Sequence, residues 1–226
     1  MAPTNSVPFA VKDCALIAIA TGREARTLRE LQHQLEEVDV SSIYYHFWGG
    51  LLRPGFEERQ YHNDFAEWVR HQLNDNVLAE RLAVIDPSDF AELEGLRAEL
   101  VEVIGERLDE SEMPAWSRSD RQLQLIRSQI VVFDTHVTLD QPRELAETVS
   151  RLSTSSIFYH FIDARRRLPE KVDDFRSWLA GLPGYEALIV QLAEIDPYFV
   201  TLAELKNHLA TVFAAYFEEE SDERTA

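Results

Sequence analysis

The chain is poor in the features that simplify functional assignment. It has one cysteine, Cys14, in 226 residues. No intrachain disulfide is possible, and nothing in the sequence requires an oxidising compartment. Long apolar runs are missing: the longest, CALIAIA at Cys14 to Ala20, is far below the roughly 18 residues of a membrane span. The N-terminus MAPTNSVPF has no basic leader region, so a cytoplasmic protein with no membrane partner is expected. Positive charge is also scarce. Forty acidic residues against 22 basic ones give a formal charge of -18, which repels phosphate backbones and argues against nucleic acid as a partner. Lysine is limited to Lys12, Lys171 and Lys206. The sequence holds no HExxH, paired CxxC, GxSxG or P-loop string, which leaves metalloprotease, serine hydrolase and nucleotide-binding readings without a motif.

What is present is self-similarity. SSIYYHFW at Ser41 to Trp48 returns as SSIFYHFI at Ser155 to Ile162, and REL at Arg29 to Leu31 returns at Arg143 to Leu145. Both pairs are separated by 114 positions (155 − 41 and 143 − 29). DFAEW at Asp64 to Trp68 answers DFRSW at Asp174 to Trp178, and LAVIDP at Leu82 answers LAEIDP at Leu192, each offset by 110. Leu93, Leu96, Leu100, Ile104 and Leu108 then match Leu202, Leu205, Leu209, Phe213 and Phe217. The spacing predicts two tandem helical repeats within the usual size of a domain.

Apolar residues recur at three and four, the helical period. Leu28, Leu31, Leu35 and Val38 form one stripe behind Thr27 and Glu30, which have the spacing of a capping box. Ser41 or Ser42 is placed to cap the helix that carries His46, Asp64 with Glu67 to cap the next, and Asp86–Pro87 to open the last long one. FAVKDCALIAIA and LIRSQIVVFDTHVTL, rich in Val, Ile and Phe, read as strands able to pair with each other. The expected fold is therefore mainly α with minor β: a helical repeat over residues 1–110, an acidic linker over 111–122, a second repeat over 123–217 and a disordered tail over 218–226, each repeat being preceded by a short β segment.

Residues present in both repeats are expected to serve the fold, and residues present in one to serve function. By that rule His46 and His160 are buried structural histidines satisfied by a polar group of their own repeat, with Asp64 or a nearby backbone carbonyl named as partner for His46; Trp68 and Trp178 supply core area. A sharper alternative assembles His46, His62 and Asp64 into a catalytic or metal site, since imidazole and carboxylate together suit zinc or iron. Only the first repeat has this set, because Val172 stands where His62 would be. No metal or other cofactor is expected. The stretch from Gly49 to Asp64 is punctuated by glycine, and Trp48, Arg53, Phe56 and Tyr61 have the aromatic and arginine character of binding anchors. Its counterpart carries Arg165, Arg166 and Arg167, a triplet suited to gripping a phosphate or a carboxylate-rich partner, or else to closing a helix end.

The strings SSIYYHFW, NDFAEW and AEIDPYF resemble an uncharacterised prokaryotic family, one of the domains of unknown function, marked by a helical Tyr-His pair followed by Asn-Asp-Phe-x-x-Trp. The resemblance covers both repeats, although Asp173-Asp174 replaces Asn-Asp in the second. It brings no established activity. It implies an accessory role beside carbohydrate-metabolism enzymes such as glycosyltransferases and trehalose synthases. The expected function is thus a non-enzymatic interaction or regulatory module with a protein partner; the alternative is a small hydrolase or carbohydrate-active enzyme acting through His46, His62 and Asp64.

Overall fold

A computed structural model describes residues 7–52, 60–110 and 117–223. Among these described residues the architecture is mainly helical with one two-stranded sheet. The strands are β1 (Phe9–Ala25) and β2 (Leu123–Leu139). Their ends stand 114 positions apart (123 − 9 and 139 − 25), the same offset as the SSI blocks. In each strand a left-handed residue follows a threonine: Gly22 takes φ 75° and His136 takes φ 59°, a conformation that favours glycine. Thr21 Oγ1 donates to Leu125 O and accepts from Arg23 N–H; Thr135 Oγ1 donates to Val11 O and accepts from Val137 N–H.

The chain forms two compact units, which do not follow the expected boundary near residue 110. One is continuous, Leu16–Ile130; the other is split, Met1–Ala15 with Val131–Ala226. Both strands are therefore divided at their middles, because the start of each is bonded to helices far along the chain, as described below.

In the continuous unit, α1 (Leu28–Glu37) follows β1. Thr27 accepts from Glu30 N–H, one of the donors a helix start leaves unpaired, and the Glu30 carboxylate reaches back to accept from Arg26 N–H ahead of the cap. Then come α2 (Val40–Trp48), α3 (Asp64–Trp68) with a π-helical turn over Val69–Leu73, α4 (Asn76–Ala83) and α5 (Leu93–Glu110). Asp39 caps α2 in place of Ser41 or Ser42. Pro87 sits in a 3-10 turn capped by Asp86, and the long helix starts only at Leu93. Leu28, Leu31 and Leu35 of α1 and Leu96, Leu100 and Ile104 of α5 are all fully buried, and the two helices pack together. Arg97 of α5 donates to Leu35 O and Val38 O, closing the carbonyl end of α1.

The split unit contains α6 (Leu145–Arg151), α7 (Thr154–Ile157) continuing into a π-helical turn over Phe158–Asp163, α8 (Ala164–Arg167), α9 (Asp174–Ala180), α10 (Glu186–Ala193) and α11 (Leu202–Glu223). Leu205, Leu209 and Phe213 bury one stripe of α11, which packs on α6. Lys206 donates to Leu152 O, as Arg97 does to Val38 O. The last helix runs through Glu223, where the sequence suggested disorder from residue 218; the run AAYFEEE is made almost wholly of good helix formers. Residues 111–116 of the expected linker lie outside the described residues.

Candidate functional site

Each unit contains one buried histidine bonded to an aspartate beside an open cleft. In the continuous unit the backbone of α3 is capped by Asn63, whose Oδ1 accepts from Ala66 N–H at 2.8 Å while its Nδ2 donates to Leu82 O at 2.9 Å. Asn63 thus takes the capping role expected of Asp64, whose carboxylate meets the histidine instead. Asp64 Oδ2 lies 2.9 Å from His46 Nδ1. On the other side of the ring, the peptide N–H of Ile126 in β2 donates to His46 Nε2 at 3.1 Å.

A peptide N–H can only donate, so Nε2 is the unprotonated nitrogen and Nδ1 carries the hydrogen given to Asp64. Both ring nitrogens are used. The ring is 2% exposed and packs edge-on to Tyr45 and tilted against Phe65.

The split unit holds the same arrangement. Asp173 caps α9 by accepting from Arg176 N–H. Asp174 Oδ2 lies 2.7 Å from His160 Nδ1, and Lys12 N–H of β1 donates to His160 Nε2 at 2.8 Å. A second clamp stands five residues before each of these strand amides, just ahead of the strand: Trp68 Nε1 donates to Arg121 O, and Trp178 Nε1 to Val7 O. Ser128 Oγ reaches Ser41 O and Cys14 Sγ reaches Ser155 O, each at 3.4 Å. The lone cysteine therefore does what a serine does in the other unit. Burial, with the charges of Asp13 and Asp163, pushes its thiol up to about 12, well away from the thiolate range of reactive cysteines.

The two pairs differ in what surrounds them. Asp163, fully buried, receives Arg166 and Arg167, and Arg167 also bonds Asp174 Oδ2 at 2.9 Å and lies over the Tyr159 ring. Arg165 stacks on Phe161. The triplet Arg165, Arg166 and Arg167, expected to grip an anion, is engaged by the protein's own carboxylates and rings; the buried Asp163 was the signal, four residues before Arg167. The position matching Asp163 at the same offset is Gly49 (163 − 114), so the continuous unit lacks this brace. Asp173 is also fully buried, and that burial raises its pKa against the opposing pull of Arg176.

Of the other anticipated residues, Trp48 and Tyr61 are buried, and Tyr61 Oη donates to Glu80. They complete the core and are not surface anchors. Arg53 and Phe56 lie outside the described residues. His62 is half-buried. Among the described residues no group of three or more His, Cys, Asp and Glu is placed to hold a metal, so His46 and Asp64 come together without His62 completing a ligand set. Among them, too, no helix is long and apolar enough to cross a membrane.

The cleft of the split unit, about 510 Å³, is lined by Phe9, Lys12, His160, Asp174, Ser177 and Trp178 among others. The cleft of the continuous unit, about 350 Å³, is lined at the matching positions by Leu123, Ile126, His46, Asp64, Glu67 and Trp68, with His71 beyond them. Geometry and strand bonding are shared, whereas the outer lining is not.

Residues 6–214 match the family of unknown function DUF5752. The solved structure of OrfY from Thermoproteus tenax superposes with a TM-score of 0.78 and 26% identity, over 92% of this chain and 94% of that one. No curated protein matches the chain.

Proposed function

Because the chain belongs to this family of unknown function over most of its length, we propose that it is a non-enzymatic interaction module built from two copies of one helical unit, with the His-Asp-strand clamp as the signature of each copy. One observation carries the reading. Both nitrogens of His46 and of His160 are committed to the fold, one to a carboxylate and one to a strand N–H, so neither imidazole is free to move a substrate proton or bind a metal. This speaks against the hydrolase alternative at His46, His62 and Asp64. Function then falls to the clefts beside the clamps, whose linings differ between copies: Ser177, Gly181 and Leu182 in one, Glu67, His71 and Gln72 in the other. The partner we infer is a protein, and the family resemblance directs the search to carbohydrate-metabolism enzymes such as a glycosyltransferase or a trehalose synthase.

The test is affinity capture from native lysate with the parent chain, Ser177→Arg and Glu67→Arg, all three matched for melting temperature. Loss of one defined protein with one cleft variant supports the proposal. A turnover found in the purified chain and abolished by His46→Gln sinks it.

A further inference from the structure

We propose that the cleft of the continuous unit binds a small zwitterion, a free amino acid, whose carboxylate is met by Arg121 and whose ammonium is met by Glu67. The proposal goes beyond the protein partner inferred above and is tested without it.

The two clefts share a floor and differ in the wall above it. At five matched lining positions a polar or charged side chain of the continuous unit gives way to a small or apolar residue of the split one. Three lie 110 apart (177 − 67): Glu67 against Ser177, His71 against Gly181 and Gln72 against Leu182. Two lie 114 apart (121 − 7): Arg121 against Val7 and Gln124 against Ala10. The clamp does not account for this, because it is the same in both units. The exchange runs in one direction at every position, which marks the continuous cleft as the one made for a polar ligand.

Among the described residues, no side-chain hydrogen bond or ion pair engages Glu67, His71, Gln72, Arg121 or Gln124. Trp68 donates its indole N–H to Arg121 O at 2.8 Å, which brings α3 with Glu67 and the segment before β2 with Arg121 to the same opening. The charges then select the ligand. A molecule that enters displaces water from both groups, and a charge taken out of water must be paired. A neutral polyol gives neither group a counter-charge. An anion leaves Glu67 opposed, and a cation leaves Arg121 opposed; a zwitterion answers both. Arginine meets a carboxylate through its fork of donors. Gln72 and Gln124 each carry an acceptor and two donors, a third point of contact that suits a polar side chain. At about 350 Å³ the cleft is at the small end of ligand sites and fits one amino acid rather than a long peptide.

Calorimetric titration of the full chain with each standard free amino acid in turn, at millimolar concentration, tests this. Saturable one-to-one binding of at least one that has a polar side chain is expected. Acetylating its ammonium or amidating its carboxylate should each weaken binding about tenfold or more, and so should Glu67→Gln and Arg121→Gln. Ser177→Ala, in the other cleft, should leave binding unchanged. Should the variants not fold, the capped derivatives on the parent chain decide. The proposal is overturned if no amino acid binds, if binding survives both caps, if Ser177→Ala abolishes it, or if glucose or inorganic phosphate binds instead.

Discussion

Removing the His46 ring is the most direct test of its structural role, and the structure sets the size of the effect. The imidazole is 2% exposed, so His46→Ala leaves a cavity that costs about 1–2 kcal/mol by analogy with other large-to-small core changes. The part-buried Ile126 N–H loses its acceptor, which adds about 1–3 kcal/mol, toward the upper end if no water reaches it. Asp64 retains 15% side-chain exposure and is rehydrated at little further cost. The expected loss is therefore about 2–5 kcal/mol, a large share of the stability of an ordinary domain. Asp64→Asn is the companion variant: its amide oxygen still accepts from Nδ1–H, so the loss should stay near 1 kcal/mol. Urea midpoints at pH 8, with slopes compared to confirm the same transition, measure both. His33→Ala is the control, since that ring is 61% exposed. A midpoint for His46→Ala within error of the control would refute the clamp, and equal losses for His46→Ala and Asp64→Asn would refute the assigned proton positions.

The left-handed strand residue His136 offers a stability gain. His136 holds φ 59° with its side chain 89% exposed, so His136→Gly should stabilise by about 0.5–1 kcal/mol, as relief of left-handed strain exceeds the added unfolded-state entropy; a loss by urea titration would show that the imidazole has a bound partner. Asn63→Ala removes both an N-cap acceptor and the bond to Leu82 O, and a loss of about 2–4 kcal/mol is expected by the same measurement. Cys14 should resist alkylation in the native chain at pH 8: with the thiol pushed up to about 12 from 9.0, its thiolate fraction falls about a thousandfold, and rapid native labelling by iodoacetamide would contradict its burial. Cys14→Ser, which copies Ser128, should change stability by less than about 1 kcal/mol, because the hydroxyl makes the same bond to a helix-start carbonyl.

The helical stripes were legible because burial imposes a period on sequence. Leu28, Leu31 and Leu35 are read off their spacing, and so are Leu205, Leu209 and Phe213. His46 with Asp64 was legible for a different reason: a histidine inside an apolar helix needs a polar partner, and few are near. The acceptor role of Nε2 was not legible, since its donor is a peptide N–H and a backbone group leaves no trace in residue identity. The same applies to the unit boundaries. Which strand half joins which helices rests largely on peptide groups, the N–H of Ile126 and Lys12 and the carbonyls of Arg121 and Val7, and residue identity does not announce these. Asn63 and Asp173 escaped notice because the adjacent aspartate has equal capping propensity; only three-dimensional demand for Asp64 and Asp174 at the histidines separates the two neighbours. Trp48 and Tyr61 were read as surface anchors because aromatics near glycines look alike whether they complete a core or face solvent.

Identity of bonding with difference of surroundings locates where further work should look. The clamps are the same in both units to within a few tenths of an ångström, so whatever distinguishes the units lies outside them. In the split unit Asp163, Arg166 and Arg167 brace the clamp from behind, and the cleft in front presents Lys12, Ser177 and Trp178. In the continuous unit Gly49 stands where that brace begins, and the cleft presents Glu67 and His71 instead. Placing an aspartate at Gly49 would not transfer the brace, because a Cβ there meets the Tyr45 ring at 2.8 Å. Gly49→Asp should therefore destabilise the continuous unit, by about 1–3 kcal/mol as overpacking does elsewhere, whereas Asp163→Gly should destabilise the split unit by stranding two arginines and loosening Asp174. If both substitutions were silent in urea titration, the units would owe their different surroundings to drift. If both are costly, each unit has been fitted separately around a common clamp, and the unlike clefts are the place to seek unlike partners.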